Sequence, residues 1–202
     1  MESVHNKLLT RKAVKVYDPE YKMTEQEILE LLDAANQAPS AWNLQHWKFI
    51  VVHSDAAKEK LLPLAYNQAQ IKDASATFII LGDKEANKNI DTVFNPAIEA
   101  GTMTEEIKQA IAGQVNGAYS NDFYPTEAAI MNSAFPAMQL MNFATLKDLG
   151  TCAIGGFNRT AVQDTFDIED RYIPALLITV GKALKEPRAS KRRPVASITQ
   201  FV

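Results

Sequence analysis

A single cysteine, Cys152, in 202 residues leaves no material for an intrachain disulfide framework or a multi-thiolate metal centre, and suits a reducing compartment. The three histidines, His5, His46 and His53, have no metal-ligand spacing, so no metal site is expected. A lone histidine at a strand end, as His46 is, reads as a surface residue. No serine sits in a Gly-x-Ser-x-Gly elbow, and no Gly-x-Gly-x-x-Gly or Lys-Ser/Thr phosphate loop is present. The carboxylates form no pair suited to acid–base work. No apolar run approaches the ~18 residues of a membrane span, and "MESVHNKLLTRK" lacks the basic-then-apolar design of a secretory leader. A cytoplasmic protein is therefore expected. Net charge is −3, so there is no overall positive field to hold nucleic acid or an anionic membrane, and any anion site must be local. With no side chain to nominate as nucleophile or general acid, an enzyme built on this chain would draw its chemistry from a cofactor.

What is present suits one domain: 47% hydrophobic and 22% charged residues, without repeats, low-complexity tracts or an interdomain linker. Val4, Leu8 and Leu9 at helical spacing predict a helix, followed by a short strand in "AVKVYD" that Pro19 stops. Thr24 and Glu27 have capping-box spacing, with Ile28, Leu31, Leu32 and Ala35 on one face, which predicts a helix to about residue 38, ended by Pro39. "WKFIVVH" and "ATFIILGD" read as strands covered on both faces, with Ser54 opening a helix between them. Residues 83–122 read as an excursion containing an amphipathic helix through Ile107 and Ile111. Residues 126–149 predict the strongest helix, apolar almost all round and so buried in the core or at a subunit interface, kinked at Pro136 and capped by Gly150. "TCAIGGF" leads into a short helix, "YIPALLITVGKA" is the last strand, and residues 185–202 form a basic, proline-punctuated tail.

Two basic clusters stand out. Arg11, Lys12 and Lys15 sit where the first helix meets the first strand, and strand alternation sends Arg11, Ala13 and Lys15 to one face and Lys12 elsewhere. Arg188, Lys191, Arg192 and Arg193 lie close together in the tail. Such clusters suit a phosphate monoester, whose oxygens match arginine forks, or they are solvated charge runs. The glycines of "CAIGGF" let backbone approach a flat ligand, or simply make a turn. "PSAWNLQHW" gathers a hydroxyl, amides and an imidazole at the entrance to a strand. Cys152, beside an apolar run, reads as core.

Taken in order, these segments resemble the FMN-dependent nitroreductase family over nearly the whole chain, from "TRKAVKVYD" to "SKRRPVASITQFV". The family's opening pattern is met by Arg11, Ala13, Lys15 and Tyr17, and its Pro-Ser-x-x-Asn-x-Gln-Pro-Trp segment by Pro39, Ser40, Asn43, Gln45 and Trp47, with His46 in the proline's place. "YNQAQIKDAS" supplies Asn67 and Gln70, and "AIGGF" supplies Ile154, Gly155 and Gly156.

The resemblance implies a three-layer α+β fold, a mostly antiparallel central sheet flanked by helices, in an intertwined homodimer with FMN at the interface. Residues 185–202 would wrap the partner subunit. Arg11, Lys12 and Lys15, with Arg192 or Arg193 from the tail, would neutralise the ribityl phosphate. Pro39, Ser40, Ala41, Asn43 and Gln45 would serve the flavin of the other subunit, Asn67 and Gln70 the pyrimidine edge, and a backbone N–H of Gly155 or Gly156 the neighbourhood of N5. The implied activity is ping-pong oxidoreduction, NADH or NADPH donating and a nitroaromatic or quinone accepting, with substrate contacts near Phe123 and Tyr124 and no catalytic side chain. Gln70 in place of a lysine removes a positive charge and would lower the flavin potential. A flavin-binding redox sensor with little turnover, or a dehalogenating, enoate-reducing or azoline-oxidising variant, are the alternatives.

Overall fold

In the computed structural model, which describes residues 3–202, four strands pair in the order β1-β2-β4-β3, every pair antiparallel. They are β1 (Trp47–Val52), β2 (Ala76–Asp83), β3 (Gly150–Ile154) and β4 (Tyr172–Gly181). Eight helices accompany them among the described residues: α1 (Val4–Thr10), α2 (Glu25–Asn36), α3 (Asp55–Leu64), α4 (Gln70–Asp73), α5 (Ile90–Glu99), α6 (Glu105–Tyr119), α7 (Tyr124–Leu146) and α8 (Arg159–Thr165).

Alternation along the central strands creates the layers. Phe78 and Ile80 of β2, with Ile178 and Val180 of β4, pack under α2 and α7. Ile79 and Leu81, with Leu177, Cys152 and Ile154, pack under α3, α4 and α8. All eight residues of β2 are buried, as a strand covered on both faces requires. β1 is an edge strand with Lys48 exposed and its middle half-buried, so the same expectation fails there within one chain. α2 opens on the expected capping box, Thr24 Oγ1 accepting from the Glu27 N–H at 3.2 Å and Glu27 Oε2 accepting from the Thr24 N–H at 2.8 Å. Ser54 caps α3 by the single bond alone, its Oγ accepting from the Ala57 N–H at 3.3 Å.

Four expectations need correction. "AVKVYD" makes no strand; it forms only two isolated bridges, Ala13 to Thr151 and Tyr17 to Ala183, because Tyr17 turns inward to bond Thr179 under the sheet. "TCAIGGF" opens with a strand that the sequence reading lacks, β3, with Cys152 and Ile154 buried against β4 and the glycines following it. α7 ends at Leu146, and Asp148, at φ 59°, makes the reversal assigned to Gly150. Gly150 instead opens β3, where a Cβ would lie 2.5 Å from Val14 Cγ2. Finally, α7 is not covered all round in one chain: Ile130, Met131, Phe135 and Met138 are 44–49% exposed on its outer face.

The excursion has its own core. Ile90 and Phe94 of α5, a helix the asparagine-rich sequence conceals, join Val115 of α6 and Leu44, with Trp42 beside them. It thereby props the 39–45 loop, to which Asn89 Nδ2 also donates at the Leu44 carbonyl, 3.0 Å away.

Candidate cofactor site

The basic residues gather at one end of β3. Arg11, Lys12 and Arg192 line a cavity of about 240 Å³, and Lys15 and Arg188 line a neighbouring one of about 620 Å³. Ala189 and Ser190 border both. Arg11 and Lys12 thus line one cavity, although their side chains reach different partners, Thr151 and Glu186. Arg192 donates to the Ser190 carbonyl at 3.2 Å and to its Oγ at 2.6 Å, whereas Arg193 lines neither cavity. Lys12 Nζ pairs with Glu186 Oε1 at 2.6 Å. Arg11 makes only long bonds, 3.3 Å to the Lys12 carbonyl and 3.4 Å to Thr151 Oγ1, which leaves most of its fork unused.

At the other end of β3, buried Ile154 is followed by exposed Gly155 and Gly156, and a Cβ at either glycine would meet nothing within 4 Å. The segment carrying Asn67 and Gln70 is fastened to this loop: Gln68 Nε2 donates to the Gly156 carbonyl at 2.9 Å, and the Asn158 N–H donates to the Leu64 carbonyl at 2.8 Å. Asn67 is exposed and Gln70 is buried. The Ala13–Thr151 bridge runs the basic segment beside the start of the same short strand.

The 39–45 loop is held elsewhere. Asn132 of α7 accepts the Ala41 N–H at 2.8 Å, and Ser40 Oγ accepts the Gln45 N–H at 2.9 Å. Pro39 and Asn43 are exposed. Among the described residues, no hydrogen bond or ion pair joins this loop to the basic or glycine segments. It is fastened instead to buried Asn132 of α7, the helix whose outer face is exposed. Backbone strain marks the same places. Five of the seven non-glycine residues with positive φ, Trp42, Asn43, Gln45, Tyr66 and Asn67, fall in these two segments.

Two features escaped the sequence reading. Asp83, at the end of β2, is 2% exposed and takes both oxygens to Arg171, with Nε to Oδ1 at 3.0 Å and Nη2 to Oδ2 at 2.5 Å. His46 is fully buried rather than on the surface, stacked on Tyr119 at 6.5 Å, with neither ring nitrogen bonded. The two aromatic residues named for substrate contact divide: Phe123 is 83% exposed, while Tyr124 packs edge-on against Tyr119 at 5.3 Å and Trp42 at 6.2 Å.

Burial holds the His46 imidazolium down, to a pKa of about 4, with nearby Asp83 acting weakly in the other direction. The unfolded chain therefore binds this proton near pH 6.5 while the native one does not. Stability from this group is complete above about pH 7, declines as pH falls through 6.5, and levels off below 4. A loss of about 3 kcal/mol is expected over that window. His46→Leu should flatten the corresponding part of the urea-midpoint profile; matching profiles for the two proteins would contradict the assignment.

A model of the Nitroreductase family matches residues 8–182. YodC of Bacillus subtilis (strain 168), an NAD(P)H nitroreductase by name, is 47% identical over 195 residues, 96% of each chain. A CLA biosynthesis enone reductase from Lactiplantibacillus plantarum is 31% identical over 96% of this chain and 92% of its own. A nitroreductase-type structure from Exiguobacterium sibiricum 255-15, solved in complex with FMN, superposes with a TM-score of 0.92 at 30% identity, covering 100% of this chain and 98% of that one.

Proposed function

The chain belongs to the nitroreductase family, and from that premise we propose that it is an FMN-dependent oxidoreductase that takes electrons from NAD(P)H and delivers them to nitroaromatic or quinone acceptors. The observation that carries the reading is the arrangement about β3, with a cluster of cationic side chains, the fork of Arg11 largely unused, beside its first residues and an open glycine loop, clamped to the amide-bearing segment, after its last. The relatives' names and the FMN-bound neighbour support the same cofactor pair.

The residues present fit FMN. Arg11, Lys12 and Arg192 offer charge-assisted donors for a phosphate, and Lys15 lies in the adjoining cavity. Asn67 and Gln70 both donate and accept, as the pyrimidine edge of a flavin requires. Gly155 and Gly156 leave the face over the loop free of side chains. FMN, when bound, supplies the acceptance of hydride from the nicotinamide and the onward transfer of electrons. The chain's own part is to bind, orient and tune. Lys15 beside the cofactor favours an anionic reduced form, and no side chain is assigned a proton or covalent step.

The unpaired face of α7 supports a homodimer. Ile130, Met131, Phe135 and Met138 recur at helical spacing, and Asn132 between them holds the 39–45 loop. A second copy on that face would bring its own 39–45 loop to the first copy's β3 and complete a site that one chain leaves divided. The tail, exposed throughout residues 188–202, would wrap the partner. Met131→Glu/Phe135→Glu is expected to give a monomer by light scattering and to lose at least about tenfold in FMN affinity, because two carboxylates cannot be desolvated against an apolar face. A dimer that survives with normal affinity would place the interface elsewhere.

The decisive experiment is spectroscopic. The purified chain, supplied with FMN, should turn yellow, bleach anaerobically with NADH or NADPH, and recover on adding a nitroaromatic or quinone. A chain that stays colourless with FMN refutes the reading. One that is yellow but cannot be bleached points to a redox sensor or a ring-oxidising role. The relative named as an enone reductase favours one further acceptor, an α,β-unsaturated ketone, which belongs in the same titration.

A further inference from the structure

Gln68 lies between two residues that the resemblance assigns to the cofactor, Asn67 and Gln70. Its side chain is the hub of the amide segment. Nε2 donates to the Ala65 carbonyl at 3.0 Å and to the Gly156 carbonyl at 2.9 Å, and Oε1 accepts from Gln70 Nε2 at 3.1 Å.

The orientation of this amide follows from its partners. Two carbonyl oxygens can be met only by N–H groups, so the amino end of Gln68 must face Ala65 and Gly156. The carbonyl end then faces Gln70, and only a donor can answer it. Gln70 must therefore turn an N–H inward, which leaves its own Oε1 and second N–H to present elsewhere. Gln70 is 7% exposed, and its backbone is fixed in the single turn of α4.

We propose that Gln68 is a positioning residue that acts through Gln70. Anchored on the Gly156 and Ala65 carbonyls, it selects the rotation of the Gln70 amide and so decides which of its polar atoms faces the flavin. The inference rests on the function proposed above. It extends that function by assigning control of the flavin's redox balance to a residue one step removed from it.

The test uses the full-length protein with FMN. Dissociation constants of oxidised and reduced FMN and the midpoint potential are measured for wild type, Gln68→Leu, Gln68→Glu, Gln70→Ala and the Gln68→Leu/Gln70→Ala pair, with the melting temperature of each FMN-free chain recorded alongside. Gln68→Leu should change the ratio of the reduced to the oxidised dissociation constant by at least about threefold. Gln68→Glu, which sets a carboxylate against two carbonyls and near the flavin, should disfavour the reduced form about tenfold, a shift of about 30 mV to more negative potential for a two-electron couple. In the Gln70→Ala background the effect of Gln68→Leu on that ratio should vanish. A purely structural role would lower the melting temperature and weaken both redox forms equally, leaving the ratio unmoved, and that result would overturn the proposal. So would a Gln68→Leu effect that persists in full without the Gln70 amide. Wild-type protein that takes up no FMN would instead overturn the proposed function, and this inference with it.

Discussion

Arg11→Ala/Arg192→Ala is expected to bind FMN about 10²- to 10⁴-fold more weakly than wild type while folding normally. Each arginine would supply one charge-assisted bond to the phosphate, worth about 1.5–3 kcal/mol. Neither contributes much to the native structure. The bonds of Arg11 within the chain are long, at 3.3 and 3.4 Å, and those of Arg192 reach only Ser190 in its own exposed tail. Riboflavin is the control, because it lacks the phosphate: its affinity should be unchanged in the double variant, and the loss for FMN should shrink as salt is raised. Arg193→Ala should stay within about threefold of wild type, since Arg193 lines neither basic cavity. Equal losses for FMN and riboflavin would mean that the arginines support the fold rather than the phosphate, and unchanged FMN binding would move the phosphate site.

Asp83→Ala should cost about 3 kcal/mol of folding stability, which for a chain of this length lowers the melting temperature by roughly 6–12 °C. Asp83 is 2% exposed and accepts three bonds, two from the Arg171 guanidinium and one from the Glu85 N–H at 2.9 Å. Removing the carboxylate leaves a partly buried guanidinium with only long contacts, to Glu85 Oε2 at 3.9 Å and the Glu85 carbonyl at 3.4 Å, where β2 meets the start of β4 and where the excursion begins. Replacing both partners by apolar residues of similar volume, Asp83→Leu with Arg171→Met, should recover most of the loss, because neither charge then needs a partner. A single variant that loses less than about 1 kcal/mol in urea denaturation would show that the pair is solvated in solution.

These two expectations draw on different amounts of sequence information. The basic residues at 11, 12, 15 and 192 were visible as local clusters, and the resemblance supplied their order along the chain. The Asp83–Arg171 pair was invisible. Its members are 88 residues apart, and a carboxylate in "ILGDKE" looks like any strand-end acid until β2 and β4 are set side by side. His46 misled for the same reason. Its local sequence marks a strand entrance, whereas its burial depends on Tyr119 arriving from α6.

The sequence by itself determined the elements whose signals are local. These are the capped helix at 24–36, the strands at 47–52 and 76–83, the long apolar helix and the last strand, each read from hydrophobic period and capping chemistry over a dozen residues or fewer at a time. It also determined the three polar segments that bear the candidate site. Tertiary structure alone decided what those segments meet: Arg192 rather than Arg193 in the basic cavity, Gln68 fastened to the glycine loop, and the 39–45 loop held by buried Asn132 of α7, a helix that carries an uncovered apolar stripe. Periodicity reports which face of an element is apolar, but not what covers it. Hydrogen-bond partners distant in sequence come together only when the sheet fixes the positions of the loops that carry them.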